Sequence, residues 1–100
     1  MNTVTVCTTM LVDLDAPVTT YELARFCEQQ TDWVVMLVEQ GVLSAARELE
    51  PGQWVFGSPA VTRARQVAKL QRDFEVNLDA AALMVDLIEE VRQLRARLLP

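Results

Sequence analysis

Histidine is absent from this chain of 100 residues, and with it go the imidazole general base and the commonest side-chain metal ligand. The three glycines are scattered, so no glycine-rich loop is present to cradle phosphate. Cys7 and Cys27 are too far apart for a CxxC pair and sit in apolar strand-like and helix-like settings. A lone disulfide in a small domain without a signal sequence is unusual, and both read as reduced, buried, small apolar residues. Glu89 and Glu90 are adjacent on a helical stretch and diverge, so they make no acid and base pair. Together these absences predict a protein that is not an enzyme and that holds no cofactor or metal.

Positive charge is also scarce. Nine lysines and arginines face 14 carboxylates, for a formal net charge of −5 and a pI near 4.6. Non-specific affinity for nucleic acid comes mainly from clustered Lys and Arg, so this balance argues against it. The deficit is uneven. Residues 1–50 carry eight carboxylates against Arg25 and Arg47, whereas residues 51–100 are nearly balanced at +1. No apolar run reaches the roughly 18 residues of a membrane span, and "MNTVTVCTTMLVDLD" lacks both a basic start and a clean apolar core, so the expectation is a soluble, cytoplasmic protein with no membrane partner.

What is present is an ordered, mainly helical pattern, with 51% hydrophobic residues but only 6% aromatics. "TVTVCTTMLVDL" alternates Val4, Val6 and Thr8 with Thr3, Thr5 and Cys7, which predicts a short strand ended by Pro17. Thr19 and Glu22 have capping-box spacing, and Leu23, Phe26 and Cys27 share a face of a first helix over about residues 20–29. Thr31 or Asp32 can cap a second helix, buried through Trp33, Val34, Leu37 and Val38 and stopped by Gly41. Two strands, near Val42–Glu48 and Gln53–Phe56, flank Pro51-Gly52, a type II turn signal.

Ser58-Pro59 opens a third helix running to about Asp73, with Val61, Ala64, Val67, Ala68 and Leu70 inward and Arg63, Arg65, Lys69 and Arg72 on the other side. Asn77 can cap a last helix, along which Met84, Leu87, Val91, Leu94 and Leu98 alternate steps of three and four. That seam can dock on the chain's own third helix or on a second chain. With so small a core, a homodimer is the favoured expectation. Arg92, Arg95 and Arg97 suit the helix C-terminus, where the macrodipole favours positive charge.

The order helix, helix, glycine, wing, helix and coiled coil resembles the MerR-type winged helix-turn-helix family. "ELARF" is similar to its first helix, "EQGVLSAAR" to its wing entry, "GQWVF" to its second wing strand and "DFEVNLDAAALMVDLI" to the elbow before its dimerisation helix. The expected fold is thus mainly α: a MerR-like winged helix-turn-helix with a short N-terminal strand, a β-hairpin wing and a C-terminal coiled-coil helix. Residues 1–76 would form the winged domain and 77–100 the dimerisation helix, as one structural unit. The Thr/Val-rich start, the Trp54-Val55-Phe56 strand and the Leu/Arg-rich ending resemble more closely a divergent branch, the chaperone modulatory proteins called CbpM.

That resemblance implies an adaptor that binds the J-domain of a DnaJ/CbpA-type co-chaperone and inhibits both its work with Hsp70 and its DNA binding. DNA-reading relatives carry a basic residue and aromatics where this chain has Val35, Met36 and Leu37, an arginine at Trp54 and a glycine at Glu28. These changes remove donors and charge that phosphate and base contacts need, so no direct DNA binding is expected.

The J-domain's basic second helix would meet an acidic face of Glu22, Asp32, Glu39, Glu48 and Glu50, unless these carboxylates are simply solvated. Val35 and Met36 are the candidate apolar contacts. Trp33 and Trp54 are either interface anchors or, as favoured here, core. The alternative function is a DNA-binding regulator that uses Arg47, Arg63, Arg65 and Arg72. A bare dimerisation module with a small-molecule pocket has no specific residue in its support.

Overall fold

The computed structural model describes residues 16–98, and within them the fold is mainly helical with one small antiparallel sheet. The strand expected over residues 3–14, and Cys7 with it, lies outside the described residues. The chain divides into two compact units, one ending at Ala64 and the other beginning at Arg65.

In the first unit, β1 (Val18–Thr19) leads directly into α1 (Thr20–Phe26). The capping box is formed as its spacing predicts: the Glu22 N–H donates to Thr19 Oγ1 at 3.1 Å and the Thr19 N–H donates to Glu22 Oε1 at 3.0 Å. The helix ends at Phe26, three residues earlier than expected. Glu28 turns left-handed at φ 57°, its N–H reaches the Arg25 carbonyl, and the Gln29 N–H reaches back to Ala24 at 2.9 Å. This is a Schellman cap built on a glutamate, at the position where the resemblance to DNA-reading proteins implies glycine. The early end also corrects the expected buried face. Phe26 is 50% exposed, and Thr20, Leu23, Ala24 and Cys27 form the buried stripe instead.

Helix α2 (Thr31–Glu39) begins after Gln30, whose side chain makes no capping bond, so neither Thr31 nor Asp32 is the cap. Asp32 instead stands in the first turn, where a carboxylate is favoured by the macrodipole. Val34 and Leu37 are fully buried, and Trp33 and Val38 half-buried. A second Schellman cap closes α2, with Gly41 at φ 77° and the Val42 N–H donating to the Leu37 carbonyl at 2.8 Å. That cap occupies Val42 and Leu43, so the next strand, β2, runs over Arg47–Glu50 and not from Val42.

The third strand, β3 (Gln53–Phe56), lies at the centre of the sheet, between β1 and β2, and pairs antiparallel with both. Val18 and Thr19 pair with Phe56 and Val55, and Arg47 and Glu48 pair with Val55 and Trp54. The register slips between Glu48 and Glu50, a bulge that ends at the Pro51-Gly52 turn, where Gly52 holds the φ of 79° that a type II turn requires. The next rung after Thr19–Val55 would be Thr20–Trp54, but Thr20 is already helical. Its side chain completes that rung. The Trp54 N–H donates to Thr20 Oγ1 at 2.9 Å and the hydroxyl donates to the Trp54 carbonyl at 3.3 Å.

Helix α3 spans Ser58–Phe74. The Val61 N–H bonds the Gly57 carbonyl, so the first turn closes from Gly57 and Ser58 lies inside it, one residue on from its expected capping position. Its expected inward residues, Val61, Ala64, Val67, Ala68 and Leu70, are all buried. Arg63 departs from the solvated set. It is half-buried and its Nε donates to the Val42 carbonyl at 2.7 Å, tying α3 to the end of α2.

In the second unit, Lys69 pairs with Asp73 one turn on, and that hydrogen bond holds the Asp73 carboxyl below the usual carboxylate range. Glu75 is left-handed at φ 53°, and α4 (Leu78–Leu98) follows, capped by Asn77, whose Oδ1 accepts from the Ala80 N–H at 2.8 Å. Leu78, Ala81 and Val85 of α4 are buried.

Two substitutions test this account. Thr20→Val keeps the shape but strands both Trp54 backbone groups, and is expected to cost about 1–3 kcal/mol in urea unfolding, whereas Thr20→Ser retains most of the stability. Glu28→Gly removes the left-handed strain and is expected to raise stability by about 0.5–1 kcal/mol despite glycine's larger entropy loss. A destabilised Glu28→Gly would show that the glutamate side chain outweighs its backbone cost.

Candidate partner-binding surface

Helix α2 holds the position that reads DNA in a helix-turn-helix. Its buried stripe turns one face inward, and the opposite face brings Asp32, Val35, Met36 and Glu39 together within two turns, since residues three and four apart are neighbours on a helix. Met36 is 44% exposed and Val35 half-buried, with a carboxylate one turn to either side of the pair. No basic residue stands in the last turn. The ridge can bury a modest apolar contact and orient a cationic partner, and it offers no donor to phosphate.

The other expected carboxylates are exposed but do not form one continuous row with this ridge in the chain's own elements. Glu22 belongs to the first turn of α1, where its carboxylate is engaged in the capping box. Glu48 and Glu50 lie on β2, an edge strand of the sheet, either side of the bulge and next to the exposed Leu49. Trp33 and Trp54 are both half-buried, so Met36 is more open than either.

The arginines of a DNA-reading alternative fare differently from one another. Arg47 and Arg65 are exposed, Arg63 is held on the Val42 carbonyl, and Arg72 lies 3.9 Å from Asp73. Along α4, Leu87, Val91, Leu94 and Leu98 are exposed and Met84 is half-buried. Among the described residues no cluster of His, Cys, Asp or Glu has the geometry to hold a metal ion, and no helix is long and apolar enough to cross a membrane.

The chain matches the MerR HTH family of regulatory proteins over residues 18–99. It is 32% identical over 88 residues to a chaperone modulatory protein CbpM from Pseudomonas entomophila (strain L48), an alignment that covers 88% of this chain and 82% of that relative. The chain belongs to the CbpM family. Other members agree: a CbpM of Pseudomonas putida (strain W619) is 33% identical over 88% of this chain and 82% of its own length, and one of Coxiella burnetii (strain Dugway 5J108-111) is 24% identical over 89% and 83%. No solved structure matches the chain.

For a CbpM-family chain, the surface contains more than the sequence pattern singled out. Tyr21 and Phe26 are open on α1, and the Arg25 guanidinium lies over the Tyr21 ring with 5.8 Å between its Cζ and the ring centroid. Phe26 was hidden by its apparent membership of the buried stripe. A signal was available in the spacing, because Thr20, Leu23, Ala24 and Cys27 already complete that stripe. Leu83, outside the expected seam, is also exposed.

Proposed function

We propose that this chain is a chaperone modulator: a non-catalytic, cytoplasmic adaptor that binds the J-domain of a DnaJ/CbpA-type co-chaperone and inhibits its stimulation of Hsp70 and its DNA binding. The observation that carries this reading is the outward ridge of α2, where Val35 and Met36 are flanked by Asp32 and Glu39 and no cation is present. The relatives' shared name, chaperone modulatory protein, supports it. A basic J-domain helix would meet Met36 and Val35 as its apolar contact, with Asp32, Glu39, Glu48 and Glu50 steering encounter and fixing orientation. Glu22 adds field more than contact, because its carboxylate is held by the Thr19 N–H. By covering the Hsp70-facing surface of the J-domain, the adaptor would lower J-stimulated ATP hydrolysis.

The MerR-like scaffold is thereby used for protein instead of phosphate. A DNA-binding regulator would need its arginines available, and Arg63 donates to a backbone carbonyl at 2.7 Å. The functional unit is a homodimer through Met84, Leu87, Val91, Leu94 and Leu98 of α4, of which the last four are exposed and Met84 half-buried in the single chain, leaving an apolar seam for a second copy. The division of labour follows: residues 1–76 engage the partner and 77–100 hold the dimer.

Calorimetric titration with the isolated J-domain, beside a DNA titration at matched salt, is expected to give saturable J-domain binding and no DNA response. Reversing Glu39, Glu48 and Glu50 together to Lys should weaken J-domain binding by about 2 kcal/mol or more at low salt in a protein that still folds. Salt-dependent DNA binding with a silent J-domain would reverse the assignment. For the dimer, Leu87→Glu with Leu94→Glu should convert the sedimenting species to a monomer while leaving the helical circular dichroism in place. A double variant that still sediments as the wild type would remove the seam.

A further inference from the structure

Helix α1 has seven residues, and four of them make an outward face: Tyr21, Arg25, Glu22 and Phe26 in order around the helix, opposite the buried Thr20, Leu23 and Ala24. Tyr21 is 58% exposed and Phe26 50%, so two aromatic residues share one open face. Their surroundings are anionic. Residues 18–41 contain Glu22, Glu28, Asp32 and Glu39 and one cation, Arg25. That cation is already occupied: its guanidinium lies over the Tyr21 ring, and its Nη1 donates to the Tyr21 hydroxyl at 3.3 Å. The pair sets a cation against one ring of this face, and Phe26 presents a second ring with no such occupant of its own among the described cation–ring contacts.

From this we infer that the outward face of α1 is a second contact surface for the same partner, on which Phe26, and Tyr21 beside its Arg25, receive lysine or arginine side chains of a cationic helix. Ring faces attract desolvated cations, and the flanking carboxylates raise the local concentration of positive charge, so an anionic, aromatic surface selects a basic segment over an acidic or purely apolar one. Aromatic anchors at half-exposed positions also suit an interface that forms and dissolves, because they leave no large apolar surface uncovered when the partner departs. The inference rests on the proposed J-domain reading and extends it from α2 to α1.

The test is titration of the full chain and three variants with the isolated J-domain, with circular dichroism and sedimentation of each. Phe26→Leu keeps an apolar side chain and removes the ring face, and is expected to weaken binding about two- to fivefold. Tyr21→Ala with Phe26→Ala is expected to weaken it about tenfold or more, and Phe26→Tyr, which restores a ring, to bind as the wild type does. All should keep the wild-type circular dichroism, since neither ring is buried. Wild-type binding with the Leu and Ala variants unchanged within twofold overturns this inference and leaves the J-domain reading standing. A wild-type chain that ignores the J-domain overturns both. Variants that alter sedimentation and leave J-domain affinity alone would assign the face to a second copy, and so overturn it also.

Discussion

The first unit depends on one side chain at the point where the chain changes from strand to helix. Strand β1 is two residues long, too short to satisfy the central strand β3 along its length, and the helix that follows cannot continue the ladder with its own backbone. Thr20 resolves this conflict by accepting from the Trp54 N–H and donating to its carbonyl, so that β3 is bonded on that side beyond the end of β1. Thr20 is 1% exposed, so an unpaired backbone group beside it would be costly. Because the same residue is the first of α1, the bond fixes where the helix starts relative to the wing. With the Thr19–Glu22 box on one side of it and the Schellman cap on the other, α1 is held at both ends within seven residues.

From α1 the geometry passes to α2 through a four-residue turn, residues 27–30, that closes on a left-handed Glu28. A non-glycine residue in that conformation costs about 1–2 kcal/mol, and the cost is borne by the two capping bonds and the burial of Cys27 beside it. The consequence is positional. With Leu23, Val34 and Leu37 drawn inward, α2 has no freedom to choose its outward face, and Asp32, Val35, Met36 and Glu39 are displayed because the buried residues leave them nowhere else to be. Arg63, donating to the Val42 carbonyl just beyond α2, secures the other end of that helix.

Much of this was legible because the signals are local. The capping box at Thr19 and Glu22, the stop at Gly41, the Pro51-Gly52 turn and the Asn77 cap each rest on residues within a few positions of one another, and each formed. What escaped is of two kinds. The Thr20–Trp54 and Arg63–Val42 bonds join residues 34 and 21 positions apart, and no periodicity encodes them. Glu28 is local but silent, since glutamate carries no preference for a left-handed turn, and without that cue the pattern runs α1 three residues too long and places Phe26 on one face with Leu23 and Cys27. The surface was legible in its chemistry and less so in its layout. The shortage of cations was evident from the letters, whereas the openness of Met36, Tyr21 and Phe26 required knowing which helical face the core had claimed.

The same constraint leaves the outward face of α2 free to vary without a change of shape. The inward stripe of α2 is set by packing, and packing is indifferent to what the outward positions carry as long as they tolerate water. Val35 and Met36 between two carboxylates therefore cost the fold little, and their side chains offer phosphate no donor. Arg63, donating to the Val42 carbonyl, is likewise less available to an anion than a solvated arginine. On the proposed J-domain reading, specificity comes from arrangement: short apolar contacts set among carboxylates on α2, with aromatic rings on α1, suit a helix that alternates cations with small apolar side chains.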